Sequence, residues 1–290
     1  MPNIKLSQPN SVDEALSLLA KEGDQTKIIA GGTALVIMLK NRLISPSTLV
    51  SLGGLNELRY IRHEAGVGLR IGGLVTIRDA ENSSVVRDKH PTLALTFGKV
   101  GNVRVRNAAT VGGNLSEADY ASDPPCLLVA LRARARARSI RGEREISLTD
   151  FFKGFYETTL TPDEILTELI VPDLAPGSRS AYIKYVSRSS EDRPCVGMAA
   201  VLTTEPSGAC TDLRLVAGAV SEIPLEFAGA GAMARGKHLS DSLIQEIAES
   251  FASSVDPLSD LRGSAWYRKQ IIRVMARRAM QQASGASQFN

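Results

Sequence analysis

Two glycine-containing segments, far apart along the chain, constrain its fold and function more than any other feature. The first segment reads Ile28-Ile29-Ala30-Gly31-Gly32-Thr33-Ala34-Leu35. The second reads Thr110-Val111-Gly112-Gly113-Asn114, with Ala109 before it and Leu115 after it. Each has apolar, strand-like residues, then a glycine pair, then a small polar residue and further apolar residues. We therefore expect two strands, the second over residues 109–111, each running into a glycine turn.

The residue types in both segments favour phosphate binding. Glycine permits a backbone with positive φ and lets a ligand approach the main chain without a Cβ in the way. Successive N–H groups in such a turn form a concave site for anions. The hydroxyls of Thr33 and Thr110 and the side-chain amide of Asn114 would add donors. Two converging turns of this kind would hold the two phosphates of a dinucleotide from opposite sides.

Other glycine patterns in the chain are less informative. Neither segment is a GxGxxG motif or ends in the GK[ST] of a P-loop, which disfavours a Rossmann or P-loop site. A single glycine pair after a strand is usually an ordinary turn. We assign the further pairs Gly53-Gly54 and Gly72-Gly73 to that class.

The pattern of elements predicts an α+β chain built from three units. Residues 1–57 hold a helix over 11–22, capped by Ser11 and Glu14, and strands over 27–30 and 48–52. Residues 58–176 hold a strand over 68–72, helices starting at Pro91 and Asp123, and a strand of alternating Arg and Ala over 132–138. Residues 177–290 hold a small antiparallel sheet and two amphipathic helices that begin at Ser240 and Ser264.

The composition excludes several classes of protein. The net charge of +3 is small for 290 residues and does not indicate a nucleic-acid partner. Three widely spaced cysteines cannot form a disulfide framework, and one chain with three cannot supply the usual four ligands of a [2Fe–2S] cluster. We find no signal peptide and no apolar run long enough to span a bilayer, so we predict a cytoplasmic protein and assign no metal site.

The two segments and the residues around them resemble a known family. AGGTAL at 30–35 and ATVGGNL at 109–115 are similar to the FAD-binding medium subunit of molybdenum hydroxylases, of the xanthine dehydrogenase and carbon monoxide dehydrogenase types. The similarity continues through Asp123-x-Pro125-x-Leu127-Leu128, residues 155–172 and residues 181–202. It implies a two-subdomain FAD-binding fold of the vanillyl-alcohol oxidase (PCMH) type, with a smaller C-terminal domain.

The resemblance also implies roles for individual residues. Residues 28–35 and 110–114 would hold the pyrophosphate of FAD and its surroundings. Asp123 and Leu166 match positions at the cofactor, and Lys184 matches a lysine near the flavin. The residues alone leave alternatives open: Asp123 as a helix N-cap, Leu166 as core, and Lys184 as a solvated lysine on a strand. No residue is assigned as a general acid or base.

The function implied by the resemblance is electron transfer within a larger complex. A molybdenum large subunit, holding the molybdopterin cofactor, would oxidise the substrate. An iron–sulfur small subunit, holding [2Fe–2S] clusters, would pass the electrons to FAD on this chain, and an external acceptor would take them. The resemblance implies a dimer of heterotrimers.

Two alternatives remain open. The first is a stand-alone FAD-dependent oxidase of a small organic substrate, which would need an acid or base over the flavin. The second is a nucleic-acid module that uses the arginines of residues 132–144. That run contains no aromatic residues and is interrupted by Glu143, so we favour an arginine-rich sheet face that is solvated or docks a partner.

Overall fold

The structure is a computed structural model that describes residues 4–285. The helices in this part of the chain are α1 Val12–Glu22, α2 Leu35–Lys40, α3 Ile77–Asn82, α4 Ser84–Lys89, α5 Pro91–Phe97, α6 Val103–Ala108, α7 Val111–Glu117, α8 Asp123–Ala130, α9 Leu148–Phe151, α10 Gly229–Ala234, α11 Asp241–Ser254 and α12 Ala265–Ser284. The strands are β1 Lys5–Ser7, β2 Thr26–Ile29, β3 Thr48–Ser51, β4 Ile61–Glu64, β5 Gly68–Gly72, β6 Arg134–Ser139, β7 Gly142–Ser147, β8 Phe152–Gly154, β9 Glu157–Thr158, β10 Ile165–Val171, β11 Ser178–Tyr185, β12 Val196–Thr204, β13 Cys210–Gly218 and β14 Leu225–Glu226.

The first unit is a parallel sheet of order β1-β3-β2 with α1 packed against it. The helix forms where the sequence predicts it. The Ser11 hydroxyl accepts a hydrogen bond from the Glu14 N–H at 3.2 Å, and the Glu14 carboxylate accepts from the Asn10 N–H at 2.8 Å. The apolar face of α1, including Leu16 and Leu19, is buried in a hydrophobic cluster that also includes Leu74 and Ile165 of the second unit. This unit positions the first glycine segment, which leaves the sheet at the end of β2.

The second unit is an antiparallel sheet of order β4-β5-β10-β6-β7, covered on one face by helices. Strand β6 confirms the predicted Arg/Ala alternation. Ala135 and Ala137 are fully buried in the core, and the arginines between them lie on the opposite face. Every arginine of the run makes an ion pair: Arg132 with Glu226, Arg134 with Glu145, Arg136 with Glu145 and Glu168, Arg138 with Asp13 and Glu143, Arg141 with Asp163, and Arg144 with Glu164. These acidic side chains balance the positive charge of the arginines, so the arginine-rich face of the sheet is ion-paired.

The strand expected over residues 109–111 is not present. Thr110 is instead the N-cap of α7, and its hydroxyl accepts a hydrogen bond from the Gly113 N–H at 3.0 Å. The one β contact there is an isolated bridge between Thr76 and Thr110. Threonine has a high strand propensity, but its side chain also satisfies the free N–H groups at a helix start. Here the capping interaction decides the local structure, and the second glycine pair lies in the first turn of a helix.

The third unit is an antiparallel sheet of order β11-β12-β13-β14, packed against α11 and α12. Both predicted helices are confirmed, with Ser240 and Ser264 as their N-caps. The three cysteines are buried and free. Among residues 4–285, no helix is both long and apolar enough to cross a membrane. The fold is α+β, as predicted.

Candidate functional site

The first glycine segment is a loop with unpartnered backbone donors. It joins β2, which ends at Ile29, to α2, which begins at Leu35. The N–H groups of residues 31–34 donate to no other group within residues 4–285. Gly32 has φ +70, a conformation that glycine adopts without the steric cost of a Cβ. The loop therefore offers successive N–H donors that remain free to bind an anion.

The second glycine segment has no free amides of this kind. The N–H groups of residues 111–114 donate to Val75 O, Gly73 O, Thr110 Oγ1 and Thr110 O, at 2.9, 2.9, 3.0 and 2.9 Å. The expectation that both glycine pairs offer their backbone amides is therefore wrong for the second pair. Gly112 instead permits close packing, because a Cβ on it would lie 2.7 Å from the carbonyl oxygen of Gly73. Gly113 is exposed to solvent.

The two segments meet in space. A Cβ on Gly31 would overlap the carbonyl oxygen of Ala108, two residues before Thr110 of the second segment. A Cβ on Gly113 would lie 4.0 Å from the Cβ of Ala30. The glycines thus bring together two backbones that are far apart in sequence. The first segment contributes free N–H donors, and the second contributes the exposed surface at Gly113 and the Thr110 hydroxyl.

Leu166 lies behind the second segment. The carbonyl oxygen of Leu166 packs against Gly73, and a Cβ on Gly73 would overlap that oxygen. Gly73 in turn packs against Gly112. The Leu166 side chain is buried in the core of the second unit. The glycine pair Gly72-Gly73 therefore serves close packing of strands, in agreement with its assignment to ordinary structure.

Asp123 and Lys184 form a buried ion pair between the second and third units. The Lys184 ammonium donates to Asp123 Oδ2 at 3.0 Å and to the carbonyl oxygen of Lys99 at 2.7 Å, and its side chain is only 5% exposed. The Tyr182 hydroxyl donates to Asp123 Oδ1 at 2.8 Å. Lys184 is thus not a solvated strand lysine. Asp123 is the first residue of α8, and Ser122 is its N-cap.

Burial raises the pKa of Asp123 to about 6, and the Lys184 ammonium and the Tyr182 hydroxyl oppose that rise. Burial, with the neighbouring Asp123 carboxylate, also raises the pKa of Tyr182 well above its usual value. Tyr182 therefore stays a hydrogen-bond donor at neutral pH. The pair connects to the second glycine segment through Asn114, whose side-chain amide donates to the Ser122 hydroxyl at 2.9 Å.

Sequence reasoning missed Tyr182 and Ser122 as partners in this network. A usable signal was present for Tyr182. Residues two apart on a strand point to the same face, so Tyr182 and Lys184 of β11 share a face. The carbonyl of Lys99 had no such signal, since it comes from a distant turn.

The donor set fits a ligand with a diphosphate and a neighbouring polar group. Free main-chain N–H groups and threonine hydroxyls suit phosphate oxygens. The glycine positions Gly32 and Gly113 keep that surface clear of side chains. Among the described residues, no cluster of histidine, cysteine and acidic side chains could hold a metal ion. The free N–H groups and hydroxyls described above are suited to an anionic ligand.

Comparison with known proteins agrees with this chemistry. Residues 2–174 match the family model described as "FAD binding domain in molybdopterin dehydrogenase". Residues 181–283 match the "CO dehydrogenase flavoprotein C-terminal domain". The first match covers more than half of the chain and includes both glycine segments.

Curated relatives match over nearly their whole length. The glyceraldehyde dehydrogenase medium chain of Sulfolobus acidocaldarius is 33% identical over 98% of this chain and 99% of its own. The nicotine 6-hydroxylase medium subunit of Paenarthrobacter nicotinovorans is 34% identical over 98% of both chains. The carbon monoxide dehydrogenase medium chain of Hydrogenophaga pseudoflava is 30% identical over 97% of both.

Solved structures show the same fold. A chain of carbon monoxide dehydrogenase from Hydrogenophaga pseudoflava superposes with a TM-score of 0.94 at 31% identity, over 99% of both chains. A chain of quinoline 2-oxidoreductase from Pseudomonas putida 86 gives 0.92 at 32% identity, over 98% of both. The chain therefore belongs to the family of FAD-binding medium subunits of molybdenum hydroxylase-type dehydrogenases.

Proposed function

We propose that this chain holds FAD at the junction of its two glycine segments and transfers electrons within a molybdenum-dependent dehydrogenase complex. The proposed cofactor-binding residues are Ile28, Ile29, Ala30, Gly31, Gly32, Thr33, Ala34, Leu35, Thr110, Val111, Gly112, Gly113, Asn114, Asp123, Leu166 and Lys184. The observation that carries the proposal is the contact between the first loop, with its free N–H groups, and the open surface at Gly113. No residue is proposed as a general acid or base.

Different residues would take different parts of the cofactor. The free amides of the loop over residues 31–34 would bind the phosphates. Lys184 and Asp123 would contribute their buried ion pair at the boundary between the FAD-binding part and the C-terminal sheet. When bound, FAD supplies the capacity to accept and release electrons, which the side chains of this chain do not provide. The protein positions the cofactor and sets the electrostatics around it.

The partners and the assembly are part of the proposal. We infer that an iron–sulfur small subunit supplies the electrons, that a molybdenum large subunit oxidises the substrate, and that the complex is a dimer of heterotrimers. The names of the relatives as medium chains and medium subunits support membership in such a complex. The cytoplasmic location stays a prediction.

The division of the chain into units is also proposed. We place the boundaries at 1–57, 58–176 and 177–290. Leu16, Phe97 and Phe251 lie in three different hydrophobic clusters, which supports three units. The clusters also join the units, since that of Phe97 includes Ala199 and Val216 of the third unit.

The first test is the absorbance of the purified chain. We expect flavin bands in the visible spectrum after expression or after FAD is added to the apo-chain. Absence of flavin at saturating FAD would contradict the proposal. Turnover of a small organic substrate by the isolated chain would instead support a stand-alone oxidase. Metal and cofactor analysis of the native complex tests the proposed partners.

A further inference from the structure

His90 is buried in the second unit, and its ring makes no hydrogen bond with the described part of the chain. The residue is 1% exposed, and neither Nδ1 nor Nε2 has a partner among residues 4–285. It lies where two helices meet, as the C-cap of α4 and the N-cap of α5. Burying a charged group without a partner costs far more than burying a neutral one. The site therefore accepts the neutral imidazole and disfavours the imidazolium ion.

Asp173, which follows β10, is a poor counter-charge for a protonated His90. Its two carboxylate oxygens lie 2.9 and 3.0 Å from Nε2 of His63 on β4, so another imidazole already engages them. Burial lowers the pKa of His90, and the charge of a protonated His63 acts in the same direction. The Asp173 carboxylate and the main chain of Pro172 oppose this shift without cancelling it. A proton therefore binds the buried ring less tightly than a hydrated one.

Among the described residues, the elements around His90 direct their other charged side chains elsewhere. Helix α5 has no charged residue, and Asp123 of α8 pairs with Lys184. On β4, β5 and β10, the charged side chains alternate to the opposite sheet face from His63: Arg62, Glu64, Arg70 and Glu168. Those of α3, α4 and β11 are exposed or paired: Asp79, Arg87, Asp88, Lys89 and Arg179 are exposed, and Arg78 pairs with Glu81. A proton on the buried His90 ring would thus have no paired counter-ion.

Helix α5 connects this site to the C-terminal sheet. It begins directly after His90 and is hydrogen-bonded to β11 near both of its ends. The Thr92 hydroxyl donates to the carbonyl oxygen of Ser180 at 3.0 Å, and the Lys184 ammonium donates to the carbonyl oxygen of Lys99, just after the helix, at 2.7 Å. A displacement of the start of α5 would therefore weaken its attachment to β11.

We propose that residues 84–97 form an acid-sensitive junction, which is closed while the His90 ring is neutral and opens when the ring takes up a proton and moves into water. We name this segment the His90 junction. Opening displaces the start of α5 and breaks its hydrogen bonds to β11. The inference concerns the chain alone and goes beyond the proposed function, so its test needs neither FAD nor a partner subunit.

The direction of the pH dependence follows from proton linkage. The opened form has an imidazole with the ordinary pKa of about 6.5, and the closed form has a lowered pKa, so the opened form binds more protons. Closure is therefore complete above about pH 6.5 and weakens as the pH falls below that value. Between about pH 7.5 and pH 5.5, the opened population should rise about tenfold.

Hydrogen exchange of the full chain, followed by mass spectrometry, tests the proposal. The rates at about pH 7.5 and pH 5.5 are corrected for the intrinsic pH dependence of amide exchange. We expect the protection of peptides within residues 84–97 to fall about tenfold at the lower pH, and that of peptides within α11 to stay unchanged. An equal loss in both sets of peptides would indicate general destabilisation by acid and would overturn the proposal. Constant protection of residues 84–97 would overturn it as well.

Two variants remove the titratable ring. His90→Gln keeps a polar side chain, and His90→Leu also removes the unpaired nitrogen atoms. In both variants we expect the protection of residues 84–97 to be the same at the two pH values. His238→Gln, which replaces an exposed histidine of the third unit, is the matched control and should keep the tenfold change. Asp123 titrates in every variant, so its contribution cancels in the comparison. A tenfold change that persists in His90→Gln contradicts the proposal.

A measurement on the parent chain does not depend on the folding of the variants. NMR of nitrogen-labelled histidine rings follows the protonation of His63, His90 and His238 while the chain is folded. We expect the His90 ring to stay neutral down to about pH 5.5 in the closed form, because burial lowers its pKa. Titration of all three rings near about pH 6.5 in the folded chain would overturn the acid-sensitive junction.

Discussion

At the scale of single residues, Gly113 best separates ligand binding from folding. It is exposed in the first turn of α7, and a Cβ on it would meet only Thr110 Oγ1 at 2.8 Å and Ala30 Cβ at 4.0 Å. Alanine in a helix gains up to about 1 kcal/mol over glycine. Displacing the Thr110 hydroxyl from its capping position costs about the same. The two effects offset, so the fold tolerates the substitution.

We therefore predict that Gly113→Ala weakens FAD binding at least tenfold while the melting temperature of the apo-chain changes by a few degrees. The added methyl group fills the space between the two segments. Gly54→Ala is the matched control, because a Cβ there lies 4.0 Å from its nearest neighbour, the carbonyl oxygen of Pro9. Titration of each variant with FAD, followed by flavin fluorescence, measures the two affinities. Equal FAD affinity of the two variants would remove Gly113 from the site.

Lys184 is the counter-charge of the buried Asp123. We predict that Lys184→Met destabilises the apo-chain by about 3 kcal/mol at pH 8, because a buried carboxylate loses its partner. The pKa of Asp123 in the folded state, already raised to about 6, would rise further. A folded-state pKa above the unfolded value means that the folded chain binds the proton more tightly. The loss of stability caused by Lys184→Met therefore becomes smaller as the pH falls through the folded-state pKa of Asp123.

Urea denaturation at pH 8 and pH 5.5 measures this difference. The deficit of Lys184→Met relative to the parent chain should be smaller at pH 5.5. Lys237→Met, which removes an exposed lysine, should show no deficit at either pH. A deficit that is constant with pH would indicate lost packing and not an unpaired carboxylate.

At the scale of elements, α12 depends on one buried arginine. Arg268 is fully buried, and its guanidinium donates to Asp260 Oδ1 at 2.5 Å and to the carbonyl oxygen of Leu258 at 3.0 Å. Asp260 also accepts from Tyr120 and Arg262, and hydrogen bonds from Arg268 and its neighbours hold the pKa of Asp260 well below its usual value, although burial opposes this. The start of α12 is therefore attached to the FAD-binding part through Tyr120.

We predict that Asp260→Ala lowers the free energy of unfolding by roughly 3 kcal/mol, because it leaves a buried guanidinium unpaired. Asp260→Ala combined with Arg268→Met should recover part of that loss, since the unpaired charge is then removed. Chemical denaturation of the single and double variants measures both. A double variant less stable than Asp260→Ala would show that Arg268 contributes through contacts other than this ion pair.

The elements also show which parts of the fold are predictable from sequence. Helix starts at Ser11, Ser240 and Ser264 were predictable because capping depends on neighbours within one turn. The alternation of β6 was predictable because strand periodicity is local. The start of α7 was not, because residues 109–111 favour a strand and the two glycines that follow have a low helix propensity.

Some features of the candidate site were likewise predictable from the sequence, and others were not. Both glycine segments could be found from their residue types, and the first does present free amides. The occupied amides of residues 111–114 could not be predicted, because their acceptors include Gly73 and Val75 from another part of the chain. The burial of Lys184 depends likewise on Asp123 and Lys99, which are distant in sequence.

At the scale of the whole molecule, the FAD-binding part and the C-terminal sheet are connected through α8. Helix α8 packs against β12 and β13, and its first residue, Asp123, pairs with Lys184 of β11. Cys126 of the same helix donates to the Val216 carbonyl. The proposed cofactor site and the C-terminal sheet therefore share one buried polar network.

The central claim is that the two glycine segments bind the diphosphate of FAD. Titration of the apo-chain with FAD and with riboflavin, which has the same ring system and no phosphate, tests it most directly. We predict that riboflavin binds at least a hundredfold more weakly than FAD, because the free amides of residues 31–34 then have no anion to bind. Equal affinities for the two ligands would contradict the account.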